Sequence, residues 1–505
     1  MKYGSISGGS KEAVEAAKQI FYNGGNAFDA AIGAIFTSMT SEFSLTGAGG
    51  GGIMLGMSNN DIPVVYDFFV DCPSNNNKKI DFQKINVDFG NTSQDFHIGK
   101  GSTATPGNIA GLLDIHQEKG VLPLNIVLEP AIKIAKEGVK LSKYQAYINK
   151  LIKPILLHSQ EGYKLFHTNN KFLQQGDTFK NPNFSDFLYS ISRYGKKFFY
   201  EGDGADIVNK FYSSEGYINK KELKNYQMKI RKPNIINIGE YKIFTNPAPS
   251  YGGTLMIFML KLLKKSNKLN ANITQLVKSM ELTSMARNSV CSNPNNEMEI
   301  NNVLNKKIFS EYLDLFNDNN FIGNTSKLSG LGSTTHISII DKWNNIVSVT
   351  TTNGEGCGHF IPEFGIMMNN MLGEQDLNPY GFHNWKNQRR LPTMICPTII
   401  FKNNKPIYAL GSGGSNRIRS AIIQVILNLI IKNMPLEDAI DASRIHLEGK
   451  ELYFEPQIQI PTNQYFKHIK KIPFEKKSLF FGGVNCVSIN NAIGDKRRGG
   501  VGELV

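Results

Sequence analysis

The chain has 505 residues, 41% of them apolar and 20% charged, which is enough for a large buried core and unlike a disordered or fibrous polypeptide. Its formal charge of +13 comes from scattered pairs such as Lys78-Lys79, Lys264-Lys265 and Lys470-Lys471, set among Asn and Ile. With no basic helix, stacking motif or Cys/His finger, that charge speaks against nucleic acid, and five widely spaced cysteines (Cys72, Cys291, Cys357, Cys396, Cys486) suggest neither a disulfide framework nor a zinc site.

The N-terminus shows no basic-then-apolar leader, and no run of about eighteen apolar residues occurs. The expectation is a cytoplasmic protein without a membrane span. Lys11 to Tyr22 has helical apolar spacing and stops at Gly24-Gly25. Phe28 to Phe36 is apolar nearly all round and predicts a buried helix. After a glycine run, strands are expected at Ile53–Leu55 and Val64–Phe69, then a polar loop over 71–101. Thr105-Pro106-Gly107 and Leu128-Glu129-Pro130-Ala131 each read as a helix opening, because proline is tolerated in a first turn. Residues 142–240 read as a mainly helical layer, Tyr241–Phe244 as a strand, and Thr254–Leu263 as a helix led in by Ser250-Tyr251-Gly252-Gly253. Residues 265–333 are rich in Asn, Lys and Ser; 324–333 carry no periodicity and are expected to be a mobile linker.

Beyond it the texture changes. Thr335–Asp341 and Ile346–Thr352 alternate as strands around a turn at Trp343-Asn344-Asn345. Further strands are expected at Gly365–Met368, Pro397–Phe401, Ile407–Leu410 and Gly483–Ile489, with helices at Asn416–Ile431 and Leu436–Ala442. Hairpins followed by helices indicate an α+β protein with antiparallel sheet rather than a doubly wound one.

The glycine run fits GxGxxG at Gly47, Gly49 and Gly52, yet a strand-like stretch follows where a dinucleotide site needs a helix. Close backbone packing is the better account. His336 reads as a packed histidine as readily as a catalytic one and is assigned no role.

The hairpin turn places Thr334 opposite Asn353 or its neighbour Thr352. A threonine hydroxyl is a poor nucleophile at neutral pH. It becomes a competent one when the threonine is N-terminal and its own α-amine, of pKa near 7.7–8.0, acts as base. That requires scission between Ser333 and Thr334, which the hydroxyl can perform on the Ser333 carbonyl. On spacing alone, Thr334 reads sooner as a residue that merely opens a strand than as a nucleophile.

Several motifs in order move that balance. Gly24-Gly25-Asn26-Ala27-Phe28-Asp29-Ala30-Ala31, the run Gly47 to Gly52, Thr105-Pro106-Gly107 with Ala110-Gly111, Pro249-Ser250-Tyr251-Gly252-Gly253, Thr334-Thr335-His336, Gly411-Ser412-Gly413-Gly414-Ser415 and Asp495-Lys496-Arg497-Arg498-Gly499-Gly500 together resemble the γ-glutamyltransferase family of N-terminal-nucleophile hydrolases. The resemblance implies a four-layer αββα sandwich, with a large segment 1–333 and a small segment 334–505 forming one body. It implies Thr334 as nucleophile after self-cleavage, Thr352 as its hydrogen-bond partner, and Gly413 and Gly414 as the oxyanion hole. Two aimed backbone donors there can contribute ~3 kcal/mol each to a transition state. It places substrate contacts at Asn353, at Glu374 (Asp376 being the other candidate) and at Thr393.

The chain also departs from the pattern. Where the family's transferases carry an arginine for the substrate carboxylate, after Asp67-Phe68, this chain has Phe69. The usual serine pair reads Pro392-Thr393. The expectation is a self-processing transferase or hydrolase of γ-glutamyl or similar amides, with a glutaryl-type acylase or a non-catalytic binding relative as alternatives. No cofactor or metal is called for. The partners expected are a small amide or peptide substrate resembling glutathione and the chain's own two segments, with a homo-oligomer left open.

Overall fold

The computed structural model describes residues 2–59, 61–74, 79–88, 93–291, 293, 296–321, 323, 333–385 and 389–505. Of the expected linker 324–333, only Ser333 is among them.

Thirteen strands build the two main sheets. In chain order they are β1 (Gly4–Gly8), β2 (Gly51–Met57), β3 (Val64–Phe68), β4 (Lys229–Arg231), β5 (Asn234–Ile238), β6 (Tyr241–Thr245), β7 (Thr335–Asp341), β8 (Ile346–Thr352), β9 (Thr398–Lys402), β10 (Lys405–Gly413), β11 (Gly483–Ser488), β12 (Asn491–Ile493) and β13 (Val501–Leu504). The first sheet has the order β4-β3-β2-β8-β7-β1-β13 and the second β5-β6-β9-β10-β11-β12, every neighbouring pair antiparallel. Both sheets interleave strands from before and after residue 334.

The sheets lie face to face between helical layers. Outside the first sheet pack α1 (Lys11–Tyr22), α2 (Ala27–Ser41), α3 (Asn108–Lys119) and α4 (Leu124–Glu137); outside the second pack α5 (Tyr251–Lys265), α6 (Ile273–Val290) and α7 (Arg417–Ile430). Strand periodicity divides the side chains between layers. Ile337 and Ile339 of β7 join the helix-side core, whereas Ile340 joins the core between the sheets with Ile53, Leu55, Ile399 and Val487. Helix α2 is buried along its whole length, as its all-round apolar sequence predicts, and Asn26 starts it with a capping box closed by Asp29. Among the described residues no helix is long and apolar enough to cross a membrane.

Two expectations need correction. The stretch 71–101 is not simply loop: Gln83–Asp88 and Ser93–Ile98 pair as a hairpin. Val87, Phe96 and Ile98 anchor it in a side core, a short alternation obscured by Asn-rich flanks. And Leu128 does not open a helix. Helix α4 starts at Leu124, and Pro130 lies inside it. The lost hydrogen bond and ring clash cost about 3 kcal/mol. Buried Val127, Leu128, Ala131 and Ala135 offset this, at ~1.5–3 kcal/mol for a fully buried larger apolar side chain. The Asn/Lys-rich stretch after 265 also contains α6 and a further helix, Lys306–Asn317.

Candidate active site

The hairpin β7–β8 brings the first hydroxyls together. Its register runs Ile340↔Ile346 to Thr335↔Thr351 around Asn344, whose φ of 66° suits a tight turn. One step further, the chain at Thr334 meets Thr352. The Thr352 hydroxyl donates to the Ser333 carbonyl oxygen, and the Gly354 N–H donates to Thr352 Oγ1 at 3.0 Å. The Ser333–Thr334 peptide is therefore polarised at its carbonyl by a hydroxyl that is itself polarised by the backbone. One peptide earlier, the Ser333 N–H donates to Glu355 Oε1 at 3.2 Å.

The adjacent threonines have different fates. Thr335 faces the helical layer and donates to the buried Glu42 carboxylate at 2.6 Å. Thr334 faces the second sheet, only 6% exposed, and its hydroxyl makes no hydrogen bond among the described residues. Opposite it ends β10. A side chain on Gly413 would collide with the Thr334 carbonyl, so the two backbones are in direct contact there. Gly414 follows with φ of 125°. The glycine run closes the group from behind: Gly51 pairs with Thr352, and a side chain on Gly50 would strike the Thr352 carbonyl.

Beyond Thr352 the loop carries a set of acceptors. Asn353 is buried; its amide nitrogen donates to Met367 O at 3.0 Å, and its Oδ1 has no partner. Glu355 is buried, with Oε2 unpartnered. Asp376 receives Asn416 Nδ2 at 2.8 Å and Ser415 Oγ at 3.1 Å through Oδ2, and its Oδ1 is unpartnered. Gly354, at φ of 58°, has no side chain to block the Glu374 carboxylate, which lies against it. Burial, then the Asp376 charge, pushes the Glu355 carboxyl up to about 8. Burial, then the Glu355 and Asp376 charges, lifts the Glu374 carboxyl well above the usual carboxylate range.

Other candidates stand apart. The Thr393 hydroxyl accepts from Ile395 N–H at 3.2 Å and its carbonyl holds the first turn of α5, with no hydrogen bond to the threonine pair among the described residues. Phe69 lies in the core between the sheets, and its carbonyl accepts from Tyr226 Oη at 2.6 Å. Nearby Arg390 is committed to Asp67 at 2.8 Å and Asp71 at 2.7 Å, so it does not replace the missing arginine. His336 is buried between Thr350 Oγ1 at 2.7 Å and Ser338 Oγ at 2.8 Å, and burial pushes its pKa down to about 3, so it is neutral and structural.

Sequence reasoning missed two residues. Glu355 sits in a Gly-Glu-Gly-Cys loop with no periodicity to mark it. Arg498 was visible only as part of the closing motif. Its neighbour Arg497 is tied to Glu455 at 2.6 Å, but Arg498 has no carboxylate partner among the described residues. Its guanidinium nitrogens reach within 3.0 and 3.1 Å of where Cβ atoms on Gly413 and Gly414 would stand.

A family model described as Gamma-glutamyltranspeptidase matches residues 13–504. The chain is 29% identical to the capsule biosynthesis protein CapD proenzyme of Bacillus anthracis, over 98% of this chain and 89% of that one. It is 28% identical to glutathione hydrolase 2 of Arabidopsis thaliana (96% and 88% covered) and 27% identical to the acylase ACY 1 proenzyme of a Pseudomonas species (95% and 88% covered). The fold matches the crystal structure of cephalosporin acylase from Bacillus halodurans with a TM-score of 0.83 at 21% identity, covering 99% of this chain and 96% of that one.

Proposed function

Because the chain belongs to the gamma-glutamyltranspeptidase family and has the αββα fold of N-terminal-nucleophile hydrolases, we propose that it cuts itself between Ser333 and Thr334 and then transfers or hydrolyses an acyl group through Thr334. The observation that carries this reading is the Thr352 hydroxyl donating to the Ser333 carbonyl while the Thr334 hydroxyl is uncommitted.

In the first step Thr334 Oγ adds to the Ser333 carbonyl carbon. The C–N bond breaks, the nitrogen takes the hydroxyl proton, and an ester joins Ser333 to Thr334. Water hydrolyses that ester, leaving segments 1–333 and 334–505 and a free α-amine on Thr334. In turnover that amine accepts the Thr334 hydroxyl proton as Oγ attacks the substrate amide. Backbone donors at Gly413 and Gly414 take the oxyanion, and Arg498 adds positive charge beside them. The leaving amine departs with the proton, and water or a second amine releases the acyl group.

The acyl group is of the γ-glutamyl class. The unpartnered oxygens of Asn353, Glu355 and Asp376, with Glu374 beside them, suit the substrate's ammonium group. Phe69 supports a second reading, an acylase for a glutaryl-like group, since it offers no grip on a carboxylate. Paired γ-glutamyl and glutaryl amides of one chromogenic amine separate the two. Faster release from the γ-glutamyl compound is expected; release from the glutaryl compound alone establishes the second reading.

A further inference from the structure

Far from Thr334 in sequence, the structure gathers Asp81, His158 and His359, one ligand atom from each lying within 4.8 Å of the others, the one such group of three among the described residues. We propose that they form a binding site for a divalent transition-metal ion of the zinc class, and that this ion clamps the two segments together. Asp81 and His158 precede the Ser333–Thr334 bond and His359 follows it.

The geometry is close to a coordination shell. His359 Nε2 lies 2.8 Å from Asp81 Oδ2, and the His158 ring stands edge-on to the His359 ring with centroids 5.0 Å apart. Ligands on a tetrahedral zinc with bonds of 2.0–2.1 Å are about 3.3 Å apart, so small side-chain rotations close the shell. Two imidazoles and a carboxylate, with a position left for water, are a donor set that suits zinc and its neighbours better than magnesium or calcium. All three side chains are partly buried, which leaves solvent access for an ion. The His158 ring nitrogens have no hydrogen-bond partner among the described residues, although the ring is packed beside the Asp81–His359 pair.

The carboxylate is also held from behind, as metal ligands are. Gln83 Nε2 donates to Asp81 Oδ1 at 2.9 Å and the Lys100 N–H to Oδ2 at 3.1 Å. The neighbouring backbone is pinned too: the Gly101 N–H donates to Asp81 O at 2.7 Å. On the other side, a Cβ on Gly358 would stand 3.0 Å from His158 Cβ, so the loop carrying His359 packs directly on the large segment. That loop begins at Asn353 and Glu355, so an ion on His359 would also steady the acceptors described above.

The test is zinc binding by the purified chain after chelator treatment and dialysis, measured by calorimetry and metal analysis. Wild type should take up one ion per pair of segments and melt several degrees higher with zinc than without. His158→Ala should lose both the uptake and the zinc-dependent rise, the latter read against the variant's own metal-free melting temperature, because loss of a half-buried ring packed on His359 lowers that temperature by itself. The uncut Thr334→Ala variant should bind zinc as wild type does, which separates this site from self-processing. Uptake by His158→Ala equal to wild type, no uptake by wild type, or uptake without a rise in melting temperature would each overturn the proposal.

Discussion

Two buried polar clusters lie a few residues apart along the β7–β8 hairpin, and they are built to opposite rules. Around His336 every hydrogen-bonding group of the ring is answered, by Thr350 and Ser338. Around Glu355 three acceptor atoms, on Asn353, Glu355 and Asp376, are left without partners. A buried acceptor without a donor costs about 1–3 kcal/mol. The satisfied cluster ties β7 to β8; under the proposed function, the unsatisfied one receives the ammonium group of the substrate.

Substitutions can break this contrast, beginning with the largest expected effect. Thr352→Val preserves shape and removes the hydroxyl on the Ser333 carbonyl. Self-cleavage should slow on the order of 10²- to 10³-fold, the usual loss for one donor to a developing oxyanion, followed as the disappearance of full-length chain over time. Asp376→Asn removes one charge from the open cluster. kcat/KM for a γ-glutamyl amide should fall roughly 10- to 100-fold, ~1.5–3 kcal/mol for a charged hydrogen bond, with little change for a glutaryl amide. An equal fall for both would mean that Asp376 shapes the site rather than binding an ammonium group.

A third effect is on stability against pH, and the two clusters should give opposite signs. Glu355 rises from 4.5 to about 8 on folding. Between those values the folded chain keeps a proton that the unfolded chain has lost, so this group's contribution is present at low pH and is lost as pH rises through that window. His336 falls from 6.5 to about 3, so the unfolded chain binds the extra proton there and stability is lost as pH drops through that lower window. Glu355→Gln should flatten the alkaline side of a urea-unfolding profile and His336→Gln the acidic side. A bound γ-glutamyl ligand should suppress only the alkaline effect, by drawing the Glu355 carboxyl down.

The difference between the clusters also decides what could be read from sequence. The hairpin itself was legible, because alternation over Thr335–Asp341 and Ile346–Thr352 and a short turn fix the register locally. The helix at Arg417 and the buried helix α2 were legible for the same local reason. Thr334, Thr352, Asn353, Glu374 and the Gly413-Gly414 pair could be named through motif resemblance. Glu355 and Arg498 could not be assigned roles, since their positions depend on a loop with no periodicity and on a chain end brought back across the second sheet. Asp81, His158 and His359 are the extreme case: nothing in the spacing of three residues so far apart hints that they meet. Nor did the sequence show that Arg390 is tied up by Asp67 and Asp71.

The most direct test of the account is the intact mass of the purified protein beside its Thr334→Ala variant. Wild type should resolve into two polypeptides, the smaller beginning at Thr334, while the variant remains one chain of 56.3 kDa without activity. Turnover of a γ-glutamyl amide by wild type that is still one unbroken chain would contradict it.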